Sequence, residues 1–393
     1  MNRENEIIAE DKHEFSAIDV DDGISFLADN IQSSIPPDPS TLCSIYRVPD
    51  NLKKGYEDKY EPSAVSIGPY HHAKQNLKIT EKNKLWYLGK FMSRSTPPQM
   101  TSLKDMVKAV KNLEEKARAC YAEEIHLSSD DFVKMMVIDG CFILELFYRK
   151  WENRKEDLIY SAPWVIETVK QDLVLLENQL PLSVLLCLYR LIHTPRSLDP
   201  DRFLMIMVTE FFPMSLSKLI SRENMVESSH LLDFLRNCLI PCKYNPISSP
   251  ILPGIVDFYS AKDLREMGVK FKRESKTPFL DVTFEEGYLA FDFIPHETIY
   301  SLFPNWIALE QCHRHFKGCI TSYIILLGQL VNSKDDTKIL RKSEMYFGNE
   351  NEDDKFVTEI KMLCQRVMTS TFPCDNIPKL VATDKEQTCT TGM

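Results

Sequence analysis

The chain has 393 residues, a formal net charge of −10 and a sequence pI near 5.5, so it repels phosphate backbones and argues against general nucleic-acid binding. Hydrophobic residues make up 44%, enough for a sizeable core, while only 12 glycines argue against Gly-rich phosphate-cradling folds and β-rich repeats. Eleven cysteines, an odd number at irregular spacing, and the polar opening MNRENEIIAEDKHEF argue against a disulfide framework and a secretory signal. Reduced thiols in a cytosolic-type compartment are expected.

Residues 1–40 read as an acidic lead (Glu10, Asp11, Asp19, Asp21, Asp22) with one short amphipathic helix near Ile24 to Ile31 and a Pro36/Pro37/Pro39 linker. From Ser44 to His72 the chain should be extended and irregular, because Pro49, Pro62, Gly68 and Pro69 forbid a continuous helix. Helices are expected from Glu81 to about Asn237. Leu85, Leu88 and Met92 recur at helical spacing, as do Val107, Val110, Leu113 and Ala117. Phe132 to Tyr148 is apolar nearly all round, which predicts a helix central to the core. Asp172 to Gln179 reads as a further apolar helix with a polar end, and Pro181 as the start of the next.

Past Pro241 to Pro253 the pattern changes. Ser260 is a plausible N-cap for a short helix ending at Gly268. Leu280, Val282 and Phe284 alternate, as do Leu289, Phe291 and Phe293, with Glu285-Glu286-Gly287 as the turn of a hairpin. Val269 and Phe271 offer a third strand. A long helix follows from about Trp306, with breaks suggested at Gly318 or Gly328. The last helix, Asp353 to Val367, places Phe356, Ile360, Leu363 and Val367 on one face. The expected fold is mainly α with a small antiparallel β-hairpin or three-stranded meander (α+β) around a helical core. It forms a single large domain over 41–372: a helical part (41–245), a helix-plus-hairpin part (255–335) and C-terminal helices (335–370). Residues 373–393 form a polar tail. The best apolar run, Ile320 to Val331, is about half the roughly 20 residues a membrane helix needs, so no transmembrane helix is expected.

The candidate chemistry lies in polar residues within apolar stretches. Asp139 and Glu145 sit about 120° apart on one helix, so they do not form a carboxylate pair by themselves. Glu145 can reach Arg149 at i+4, whereas Asp139 needs a donor from elsewhere. Glu177, Asn178 and Gln179 precede Pro181, where a broken helix leaves free carbonyl and amide groups for them to satisfy. His71 and His72 follow Gly68-Pro69-Tyr70 in a loop that reads as a rigid turn with one packed histidine. Cys312, His315 and Cys319 fall on one helical face, but the spacing is not a standard zinc pattern. Cys238 and Cys242 are separated by Pro241. No metal ligand set and no cofactor is implied. GxSxG, Walker A, GxGxxG and HExxH are absent. For every cluster the structural reading is preferred to the catalytic one.

Eight strings occur in order: SIYRVP (44–49), VSIGPYHH (65–72), ARACY (117–121), MMVIDGCFILELF (135–147), LLENQLP (175–181), HLLDFLR (230–236), SAKDLREMGVKFK (260–272) and IALEQC (307–312). Together they resemble the plant-specific family called domain of unknown function 247, also UPF 0481, over roughly Ser44 to Asn332. The resemblance carries no established activity, no cofactor and no catalytic residue. Some grass relatives are implicated in self-incompatibility, which implies a recognition or signalling role with a protein partner. The alternative is an uncharacterised enzyme using carboxylates near Asp139, Glu145 and Glu177. Two small departures are Ala73 and Thr80, where the family usually has Gly and Met. Relatives usually end in a transmembrane helix. This sequence ends in a polar stretch, which reads as either a soluble variant or a shortened chain. A cytoplasmic protein is therefore expected, with membrane attachment only through such a helix.

Overall fold

The computed structural model describes residues 43–367 apart from 73, 75–76, 96–99, 155–158, 193–199, 213–227, 241–258, 275–279, 281, 293–295, 314–315 and 317. The chain divides into Met1–Thr41 and Leu42–Met393, and every described residue belongs to the second unit. The helix expected near Ile24 to Ile31, His315, Cys242 and the 373–393 tail lie outside the described residues.

The longest helix, α5 (Ser129–Trp151), lies where the apolar stretch predicts it. Ser128 caps it by accepting the Asp131 amide, acids fill its first turn and Arg149 and Lys150 its last. Its principal neighbours are α2 (Lys78–Met92), α3 (Leu103–Lys111), α7 (Leu182–Ile192) and α8 (Pro200–Phe211). The α7 contact is closest at Gly140, where a Cβ would come within 2.5 Å of Leu188. Among the described residues, α1 (Asp50–Lys53) and one 3₁₀ turn, Glu57–Lys59, precede α2.

The periodic faces of α2 and α3 are only partly the expected ones. On α2 the inward face is Lys84, Tyr87, Leu88 and Phe91, while Leu85 points outward. A buried ion pair at Lys84 sets this rotation and overrides the apolar spacing. The Val107 to Ala117 pattern is not one helix: α3 ends at Lys111, α4 (Glu114–Ala119) begins anew, and Val107 is exposed.

The expected helix over Asp172 to Gln179 does not form. α6 (Pro163–Asp172) stops where it was to start, and Leu173–Leu180 follows as turns. Leu173, Val174 and Leu176 are buried within these turns. Pro181 then forms a bridge to His230 and α7 follows.

The second half adds α9 (Leu231–Asn237), α10 (Ala261–Glu266), α11 (His296–Ser301), α12 (Phe303–Cys312), α13 (Cys319–Leu330), α14 (Lys334–Lys342) and α15 (Asp353–Arg366). Ser260 and Asp263 form the capping box that opens α10, and Gly268 follows at φ +94. The long helix expected from Trp306 is two helices, broken at Gly318, which adopts φ +63. Gly328 stays helical, and Cys364 of α15 packs where its Cβ would stand. On α15, Phe356, Ile360, Leu363 and Val367 are buried as one stripe. Cys312 ends one helix and Cys319 begins another, so they do not share a helical face.

The sheet holds three strands, β1 (Lys270–Arg273), β2 (Thr283–Glu285) and β3 (Tyr288–Phe291), in the order β1-β3-β2. The β2–β3 hairpin turns at Glu286 and Gly287, both at positive φ. β1 joins the far side of β3 in parallel, so the sheet is mixed rather than a meander. The reason is topological: β1 does not connect to its neighbour by a hairpin but through the chain that first forms β2.

Candidate functional site

The segment from Cys43 to His72 has little regular structure and alternates buried stretches, above all 65–68, with exposed residues such as Arg47, Lys54 and Glu61. Ile45, Val65 and Ile67 are buried, as are Ser44, Ser66 and His71. Buried backbone must find hydrogen-bond partners, and a segment outside helix and sheet must draw them from elsewhere. Here they come from the polar residues that interrupt the apolar helices.

Asp172, the last residue of α6, accepts the amides of Ser63 (3.0 Å), Ala64 (2.6 Å) and Val65 (2.8 Å). Asn178 reads the next residues as a strand neighbour would. Its Oδ1 accepts the Ile67 amide (2.6 Å) and its Nδ2 donates to the Val65 carbonyl (3.0 Å). Asp139 accepts the Gly68 amide at 2.9 Å and the Lys84 ammonium at 2.7 Å, and Lys84 also donates to the Ser66 carbonyl at 2.5 Å. Burial works against the Lys84 ammonium, but Asp139 and Glu81 outweigh it and raise its pKa above the ordinary lysine value. Gly68 adopts φ +71 with its Cβ position 2.6 Å from the Gln179 carbonyl oxygen, so no larger residue fits.

Glu177 joins three parts of the same segment. It accepts the Val48 amide (2.7 Å), pairs with Lys53 (2.5 Å), and lies 3.1 Å from His71 Nε2 and 3.6 Å from Arg47. The His71 contact is close but poorly aligned for a hydrogen bond. Burial alone would raise the Glu177 carboxyl; His71, Lys53 and the Val48 amide overcome it and hold the pKa at about 2. His71 is packed as expected and His72 is half-buried. Nδ1 of each has no hydrogen-bond partner among the described residues.

Gln179 does what the proline break requires. Its Nε2 donates to the Leu173 and Leu175 carbonyls, both at 2.8 Å, and its Oε1 accepts the Leu232 amide of α9 at 3.0 Å. His230, the N-cap of α9, accepts the Asp233 amide at Nδ1 and donates from Nε2 to the Ser44 carbonyl. Full burial lowers its pKa to about 3, so the ring is neutral. Glu145 faces away from this group. Arg94 holds it in a two-pronged pair (2.6 and 3.1 Å), and the expected Arg149 partner is farther, at 3.6 Å.

The sequence singled out Asp139, Glu145, Glu177, Asn178, Gln179, His71 and His72. Asn178, Glu177 and Asp139 hold buried stretches of the 43–72 segment and Gln179 holds the neighbouring turns and α9, whereas Glu145 has a separate ion pair. Among the described residues the three carboxylates share no partner: Asp139 pairs with Lys84, Glu145 with Arg94, and Glu177 with Lys53 beside His71. Lys84, Asp172, His230, Asn305, Arg236 and Glu310 were missed. Glu310 accepts the Ile320 and Thr321 amides at the start of α13 while pairing with Arg236 at 2.6 Å. Asn305 bridges Leu176 and Lys59. Asp172 gave no signal of its role, because Asp172 to Gln179 reads as a helix and an acid at a helix start suits the dipole. Among the described residues no His/Cys/Asp/Glu group is arranged to hold a metal, and no helix is long and apolar enough to cross a membrane.

A helical α+β scaffold in which motif residues staple an irregular buried segment is the class of architecture. The chain belongs to the family DUF247, described as plant protein of unknown function, whose profile matches residues 45–387. It is similar to UPF0481 protein At3g47200 of Arabidopsis thaliana, 32% identical over 349 residues, covering 81% of this chain and 72% of that protein. It is also similar to the putative UPF0481 protein At3g02645 of the same plant, 31% identical over 209 residues, covering 50% of this chain and 38% of that protein. No solved structure matches. The family match continues past Asn332, the rough end of the resemblance, and past Cys312, where the last of the eight strings ends.

Proposed function

We propose that this chain is a non-enzymatic recognition or signalling protein that works by binding a protein partner. One observation supports this above others: Asp139, Glu145 and Glu177 are each buried and held by different cations. Acids used in this way fix the backbone and offer a substrate neither a free carboxylate nor a shared proton. Such a scaffold is rigid inside and leaves its surface for contacts. The test is reconstitution: a protein co-purified from plant tissue, then made separately, should rebind the purified full chain at micromolar concentration or tighter. Failure of every co-purified protein to rebind would overturn the reading. The same reading has the chain fractionate with soluble protein, and recovery only with detergent would contradict it.

A further inference from the structure

Half of the large apolar side chains exposed among the described residues lie on or between two consecutive helices that both pack on α5. These are Leu85 and Trp86 of α2, Met100, and Leu103 and Val107 of α3. The cationic residues exposed around them are Lys82 and Lys90 on α2 and Lys104, Lys108 and Lys111 on α3. The acid exposed on these two helices is Asp105, and it is taken up by the Ser102 capping box. Lys111 is paired with Glu114 at 2.9 Å; the other four lysines and five apolar side chains on these helix faces run against the average of a chain of net charge −10.

Trp86 is the fixed point of this surface. The residue is 42% exposed, and its ring stands edge-on to Tyr87, with the Lys90 ammonium 5.2 Å and the Arg149 guanidinium 5.0 Å from its centroid. A tryptophan held by two cations loses little freedom on binding, the property of an interface anchor. One turn on, Gly89 has open space where a Cβ would stand, which lets a partner approach the helix backbone.

We infer that the lysine-and-apolar outer faces of α2 and α3 dock an acidic amphipathic segment of a partner protein. This rests on the protein-recognition reading above and says where and with what chemistry it acts. Charge complementarity selects an anionic occupant. The cation-held ring of Trp86 lies against the protein rather than projecting from it, which suits a packed protein surface better than a wedge inserted into lipid.

The test places the photo-crosslinker p-benzoylphenylalanine in the full chain at position 85 or 103, with positions 164 and 347 as exposed controls elsewhere. Each protein is irradiated in plant extract and the crosslinked peptides are identified. Positions 85 and 103 should reach one partner segment that carries acids beside apolar residues. A variant with Lys82→Glu, Lys90→Glu, Lys104→Glu and Lys108→Glu, with an unchanged unfolding midpoint, should lose about tenfold or more of that product, as should raising salt from about 0.1 to 0.5 M. Crosslinks to a second copy of this chain, to lipid or to a segment without acids would overturn the inference, as would insensitivity to charge reversal. Crosslinks from 164 or 347 alone would overturn the docking face but keep the partner reading. No crosslink at any of the four positions would overturn both.

Discussion

Lys84 and Asp139 form an ion pair with both side chains buried, and each also holds the Ser66–Gly68 backbone. Removing one charge leaves the other uncompensated. Lys84→Met should therefore lose about 3–5 kcal/mol of stability in urea unfolding. Adding Asp139→Asn, which removes the stranded charge and can still accept the Gly68 amide, should recover part of it. A loss under about 1 kcal/mol for Lys84→Met would contradict the pairing. His230 makes a pH prediction. Its folded pKa of about 3 lies below the ordinary 6.5, so across that window the unfolded chain binds a proton that the folded chain does not. Stability should fall as pH drops from about 6.5, by at most about 1.4 kcal/mol per unit from this residue. His230→Gln should flatten that fall in unfolding midpoints measured between pH 7 and 5; an unchanged slope would count against a buried neutral ring. Glu177 adds a second loss at lower pH. Its depressed carboxyl stabilises above about 4.5, and that contribution disappears as pH falls toward about 2.

Among elements, helix ends and breaks were legible because their causes are local. The capping box at Ser260, the turn at Gly287, the break at Gly318 and the stripe on α15 each depend on residues a few positions apart. The 173–180 turns were not legible, because a short apolar run such as Leu173 to Leu176 reads equally as helix or as buried coil. Nor was the service that Asp172 gives Ser63, a bond across 109 positions that leaves no periodic trace. The α2 rotation was missed for the same reason: the Lys84 partner lies 55 positions away. The segment 63–68 gives the element-scale prediction. In native-state hydrogen exchange the amides of Ala64 and Val65 should exchange slowly despite lying in neither helix nor strand. Asp172→Ala should speed them by about tenfold or more while the middle of α5 changes less. Fast exchange in the unaltered protein would contradict the assigned bonds. Gly68→Ala should be worse still. It puts a side chain at positive φ against the Gln179 carbonyl, and should cost more than about 2 kcal/mol or prevent folding.

Across the whole molecule, three of the residues that looked most like chemistry in the sequence, Asp139, Glu177 and Asn178, help replace a missing sheet, together with three that did not stand out there. Asp172, Asn178, Asp139, Lys84, Glu177 and His230 supply donors and acceptors to a segment that has no strand partner along most of its length. The surface is where α2 and α3 depart from apolar-in, polar-out, and that is where a partner is expected. The most direct measurement compares metabolite turnover with stability in the same proteins. The purified chain and its Glu177→Gln and Asp139→Asn variants are each incubated with a plant metabolite extract and profiled by mass spectrometry, and their unfolding midpoints are recorded. The account predicts no metabolite consumed by any of the three, with midpoints lowered in both variants. A metabolite consumed by the unaltered chain and spared by a variant whose midpoint has not moved would contradict it.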